Sequence, residues 1–177
     1  MTNKEFTYRL EPIYDLIELI QVKNYNKEWV IEKQVPNFLL LNRITTEHTS
    51  IDIVARVLLL LELAEYITKE NKLPLDGLAD ELMALSRLVL IEKAKDYSNE
   101  GSRFSNFYTA AKYMPDESSN NQLDACIGIS SKHFAWIEDA AFGRITVTEK
   151  GIQDHFVDAI NYTFIYYFML TEEFEAC

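Results

Sequence analysis

The segment Leu85–Ala111, LSRLVLIEKAKDYSNEGSRFSNFYTAA, decides how this chain is read. A helix that is apolar on nearly every side runs there into charged and aromatic residues. Positions three and four apart on a helix share a face. Leu78, Leu82, Leu85, Ser86 and Val89 lie on one such face, and Lys93, Asp96 and Tyr97 continue it. The charges therefore fall in line with a buried stripe. A second helix near the C-terminus repeats the arrangement with Asp154, Asp158, Asn161 and Tyr162. Two helices that set charges along core-facing rows predict a polar pocket inside a helical bundle.

Outward from this segment the pattern stays helical. Thr49 or Ser50 caps a helix with apolar positions at Ile53, Val57, Leu60, Leu61, Ala64 and Ile67. Pro74 and Asp76 open the next, which the spacing carries to about Tyr97. A short helix is expected over Phe104–Tyr113, another over Leu123–Phe142, and a last one from Thr148 with Ile152, Phe156, Ile160, Phe164 and Tyr167 buried. The N-terminal portion, 1–48, is less regular. It holds a short helix over Pro12–Val22, then two runs rich in aromatic and β-branched residues, Trp29-Val30-Ile31 and Phe38–Leu41, separated by the turn signal Pro36-Asn37. The chain is expected to be mainly α, a bundle of about five helices over 49–177 behind an irregular or β-hairpin segment.

Composition narrows the function classes. The chain has 177 residues, 48% hydrophobic, with five glycines and four prolines, enough for one substantial core. Its net charge of −11 repels phosphate backbones, so duplex DNA binding is not expected, whereas a partner with a basic groove is. Cys126 and Cys177 show no zinc or CxxC spacing, and no run resembles a signal peptide or spans a bilayer. A soluble protein of the cytoplasm is the expectation.

Several residues are candidates for chemistry. Asp154 and Asp158 are one turn apart, a spacing that suits a hard cation such as Mg²⁺, although acidic residues also favour a helix N-terminus without any metal. Lys93, Asp96 and Tyr97 are expected to face the same pocket, for contact with a phosphate, a metal or base edge, and a ring; a salt-bridged helix end is the plainer alternative. Asn106 is a base-contacting or capping residue and Phe107 a stacking or core residue. Lys132 shares a face with Trp136 and Asp139, beside the small residues Ala125 and Gly128 that permit close approach. Asn161 and Tyr162 complete the set. His133 lies one position off the Lys132 row; it, His48 and His155 are read as incidental, and Glu62 and Glu65 as further carboxylates or surface. No Walker loop, dinucleotide fingerprint or nucleophile elbow is present.

The stretches KAKDY, RFSNF, KHFAWIEDA and DHFVDAINY together resemble a phage-associated helical family, nucleotide modification associated domain 1. The resembling elements are Lys93-Asp96-Tyr97, Asn106-Phe107, Lys132-His133 and Asp154-Asp158-Asn161-Tyr162, over about Leu85–Leu170. The resemblance implies a role in nucleotide or modified-base metabolism. More distantly the arrangement is similar to all-α nucleotide pyrophosphohydrolases of the MazG type, in which helical carboxylates bind Mg²⁺ and water attacks a phosphate. The chain departs from those enzymes in lacking a clear E-E-x-x-E followed by E-x-x-D.

Two expectations compete. In one, the chain is a phage-type nucleotide-binding or nucleotide-processing protein: Asp154, Asp158 and Asp96 hold Mg²⁺, Lys93 and Lys132 meet phosphate, and Tyr97, Asn106 or Phe107 receives the base. In the other, it is a non-catalytic acidic inhibitor of a host defence nuclease, as an anti-CRISPR protein is. A homodimer through the aromatic run Tyr162–Phe168 is a third, blander expectation.

Overall fold

The computed structural model describes residues 1–19, 39–92, 103–114 and 122–175. Among them every regular element is helical and none is a strand. The N-terminal helix, α1, spans Asn3–Leu19 and so begins well before the expected start at Pro12. Phe6, Leu10, Ile13, Tyr14 and Ile17 recur at helical spacing and are all buried, a stripe that outweighs the proline. Pro12 sits on the exposed face, where the Tyr8 carbonyl that loses its helix bond is on the water side.

The expected hairpin is corrected where it is described. Trp29-Val30-Ile31 lies outside the described residues, while Leu41–Arg43 forms a 3₁₀ turn. Leu41 and Ile44, three apart, share one side of this turn and are both buried. Arg56 donates from Nη2 to the Leu40 carbonyl at 2.8 Å, fixing the segment to the next helix. Anchoring apolar side chains at a spacing of three selects a helical turn over a strand.

Helix α2 spans Ser50–Glu70, and its first turn is closed by the Thr49 N–H donating to Asp52 Oδ2 at 2.7 Å. Helix α3 spans Leu78–Arg87. It starts later than Pro74 because Gly77, at φ 69°, takes a left-handed conformation at its N-cap. A π-helical turn, Leu88–Glu92, follows directly. Helix α4 spans Ser105–Ala111, α5 Gln122–Ala141 and α6 Glu149–Glu175.

Helix α6 is the axis of the bundle. It packs against α5, α2 and α3, while α4 leans on α5 and α1 on α2 and α3. From Phe156 to Met169 it is buried on almost every side, which explains its apolar run. The aromatic stretch weighed above as a dimer face, including Tyr166, Tyr167 and Phe168, is buried in the chain's own core. None of the described helices is long and apolar enough to cross a membrane.

One glycine is needed for this packing. A Cβ on Gly151 would lie 2.7 Å from the indole of Trp136 and 3.1 Å from the Thr148 hydroxyl. Alanine normally stabilises a helix over glycine by about 1 kcal/mol, but the clash here costs about 1–3 kcal/mol. Gly151→Ala should therefore lower the melting temperature. A higher one would show that the indole moves aside freely.

Candidate functional site

Helices α4, α5, α6 and the π-helical turn enclose a cavity of about 230 Å³. Its floor is one face of α6, where Asp158, Asn161, Tyr162 and Ile165 follow at helical spacing. Val89 and Leu90 close one side from the π-helical turn. Arg103, Asn106 and Phe107 enter from α4 and the residues before it, and Lys132 and His133 from α5. Six of the residues singled out from sequence thus converge: Asn106, Phe107, Lys132, Asp158, Asn161 and Tyr162. Lys93, Asp96 and Tyr97 lie outside the described residues.

Asp154 does not join them. Its carboxylate is exposed and pairs with Lys150 Nζ at 3.4 Å, one turn earlier on α6. Asp158 lines the cavity, with Oδ2 3.3 Å from His133 Nε2. Among the described residues no three His, Cys, Asp or Glu side chains gather as a metal set. The third expected carboxylate, Asp96, lies outside them. The described residues alone therefore do not make a Mg²⁺ site. Glu62 and Glu65 stand away from the cavity; Glu65 faces Lys69 at 3.9 Å.

Phe107 is a wall of the cavity. It is buried and meets the Tyr162 ring edge-on, with centroids 6.3 Å apart and planes at 86°. Of the small residues of α5, Ala125 is buried in the bundle, while Gly128 is exposed and no close approach requires it: a Cβ there would meet Met114 at 3.6 Å, an ordinary contact. Arg103 is buried, with its guanidinium 4.9 Å from the Phe6 ring centroid. Burial lowers its pKa to about 10, so it remains a cation at neutral pH.

His133 was passed over in the sequence because it falls beside the Lys132 row. In the structure it belongs to the buried face of α5, with Ser130 and Ile137, and is nearly inaccessible. The i, i+3, i+4 spacing of Cys126, Ser130, His133 and Ile137 was the signal that marks it. A row of rings leads to it from outside. Trp136 stacks on His155, with centroids 4.4 Å apart and planes at 7°, His155 lies 5.2 Å from His133, and His133 lies 5.9 Å from Tyr162. His48 is a local turn residue, its Nδ1 accepting from the Thr45 N–H at 3.1 Å.

Titration of these groups follows from burial. Desolvation lowers the pKa of His133, assisted by Lys132 and opposed by Asp154. His155 is lowered by burial and by His133, against Asp154 and Asp158. Burial raises Asp158, against Lys132. A histidine with a depressed folded-state pKa binds fewer protons folded than unfolded, so its site favours folding above about pH 6.5 and loses that advantage as pH falls. The melting temperature should hold near pH 7.5 and fall from about pH 6.5 toward 5. The double variant His133→Gln/His155→Gln should flatten that fall, and an unchanged slope would assign it elsewhere.

The deepest polar feature joins three helices. Ser86 of α3 donates from Oγ to Asn161 Oδ1 at 2.7 Å. With that proton committed, the Tyr14 hydroxyl of α1, 2.7 Å from Ser86 Oγ, is the donor of the second bond. Burial pushes the Tyr14 phenol well above its usual range, so it keeps its proton. Asn161 is 4% exposed, and its Nδ2 has no partner among the described residues. An orphaned buried donor costs about 1–3 kcal/mol, and here it belongs to a side chain on the cavity floor.

The chain matches no known protein family, no curated protein and no solved structure. The cavity is smaller than the roughly 300–1,000 Å³ of drug-sized sites, which suits a compact ligand. Its described lining holds two cations, Lys132 at the rim and Arg103 over Phe6, against one carboxylate, together with aromatic and aliphatic walls. That combination suits an anion attached to a ring.

Proposed function

We propose that this chain binds a nucleotide-class ligand of mononucleotide size in the cavity on α6. One observation carries the reading. In a chain of net charge −11, the described cavity lining has more cations than carboxylates. Lys132, exposed at the rim, suits the phosphate, and the walls formed by Phe107, Tyr162 and Ile165 suit the ring. The resemblance to a family associated with nucleotide modification points the same way.

Thermal unfolding against a panel of nucleoside monophosphates and triphosphates, with and without Mg²⁺, tests this. A ligand present at a hundred times its dissociation constant adds about 2.7 kcal/mol, a rise of roughly 5–11 °C for a chain of this length. A rise that requires Mg²⁺ and vanishes in Asp158→Ala would implicate that carboxylate in metal-assisted binding, and phosphate release would then report on processing. The acidity of the chain favours one other reading, an inhibitor that occupies the basic channel of a nucleic-acid-targeting nuclease. No rise with any nucleotide, together with a tight complex with such a nuclease, would replace the first reading with the second.

A further inference from the structure

We infer that the π-helical turn Leu88–Glu92 is a one-residue insertion that seats Val89 in the cavity wall, where its side chain limits the size of ring the cavity admits. The size role deepens the nucleotide reading and rests on it; the insertion stands apart from that reading.

A π-helical turn closes each hydrogen bond one residue later than an α turn, so it holds one residue more. The buried row of α3 shows what the extra residue does. Leu78, Leu82 and Ser86 are buried at intervals of four. On a continuing α period the next member of the row is Val89, three residues after Ser86 and seven after Leu82, and Leu90 falls to its flank. The structure has the reverse. Leu90 takes the buried place, and Val89 is half-buried in the wall of the cavity.

Both ends of this slip are fixed. Ser86 Oγ lies 2.7 Å from Asn161 Oδ1 and 2.7 Å from the Tyr14 hydroxyl, and Leu90 packs in the core. The surplus residue is therefore taken up between them. Leu88 is half-buried and stands outside the core, so its removal takes away no core side chain. Without it the turn rewinds as α-helix, Leu90 keeps its place, and Val89 moves round to the position Leu88 had held. The insertion thus adds a wall to the cavity and leaves the core row intact. That wall bounds a space of only about 230 Å³. With the phosphate at the exposed Lys132, the ring lies among the apolar walls, of which Val89 is one. Trimming Val89 leaves a void beside a single ring and makes room for a second.

Two experiments test the two parts. Thermal unfolding compares deletion of Leu88 with deletion of Ala84, an exposed residue one turn earlier on α3. Deleting Leu88 should leave the melting temperature within a few degrees of the unaltered protein. Deleting Ala84 draws Arg87 into the wholly buried place of Ser86 and should lower it by about 10 °C or more. Equal effects of the two deletions overturn the insertion. Titration calorimetry with adenosine and cytidine monophosphate, a double and a single ring with the same phosphate, reads the wall. In Val89→Ala and in the Leu88 deletion, affinity for adenosine monophosphate relative to cytidine monophosphate should rise about tenfold. A ratio that does not rise in either variant overturns the size role and leaves the nucleotide reading intact. A rise in only one of them overturns the seating of Val89 by the turn. Failure of both nucleotides to bind the unaltered protein overturns the nucleotide reading and the size role with it, while the melting comparison still decides the insertion.

Discussion

Replacing Phe164 with alanine lowers the unfolding free energy by about 3–5 kcal/mol, the usual cost of emptying a fully buried aromatic site. Phe164 is wholly inaccessible on α6, and its ring lies 5.5 Å from that of Tyr14 at an angle of 50°. The loss therefore includes transfer of the ring to water, the void left behind and a specific aromatic contact worth about 0.5–1.5 kcal/mol. Helix α6 is held by α5, α2 and α3 at once, which limits how far it can shift to fill the void. For a chain of this length the melting temperature should fall by roughly 6–20 °C. A fall of less than about 5 °C would show that the seam between α1 and α6 collapses easily. Because Tyr14 loses the ring that packs beside it, its hydrogen bond to Ser86, and through Ser86 the hold on Asn161, should loosen as well.

The second large effect is on binding without stability. Lys132 is exposed at the cavity rim, so Lys132→Glu should leave the melting temperature of the free protein within about 1 °C, as surface substitutions usually do. Affinity for a nucleoside monophosphate should nevertheless fall on the order of a hundredfold, about 2.7 kcal/mol, because an attraction at the mouth becomes a repulsion that solvent only partly screens. Added salt should narrow the difference. The same change removes a cation that lowers the His133 pKa, so the acid loss of stability should become shallower. An unaltered affinity would place the phosphate elsewhere and remove the main electrostatic support for the nucleotide reading.

How far the site was legible depends on what a helical period can encode. The row Asp158, Asn161, Tyr162 was visible because residues three and four apart on one helix must share a face, and α6 bears that out. Asp154 obeys the same spacing and still points to Lys150, because at the start of α6 it is an exposed residue with a neighbour on its own helix. Lys132 stands out on a face with Trp136 and the small residues Ala125 and Gly128, and Asn106 as a base-contacting or capping residue after the break before α4. His133 was missed because the row was drawn one position away, through Lys132 and Trp136, whereas the face that packs inward runs through Ser130, His133 and Ile137. Pro12 obscured the first half of α1, although the stripe Phe6, Leu10, Ile13, Ile17 was present in the sequence to be read.

The sequence by itself determined the mainly helical class, the positions of α2, α5 and α6, and the polar rows along them, because periodicity and caps act within a few residues of chain. Only the tertiary structure decided which rows meet. Tyr14 is brought within 2.7 Å of Ser86, and Ser86 within 2.7 Å of Asn161, across three helices, and Asp158 is set against His133 rather than Asp154. These contacts depend on the rotation and register of each helix against its neighbours. That is settled by how apolar side chains fill the shared core, and no local spacing records it.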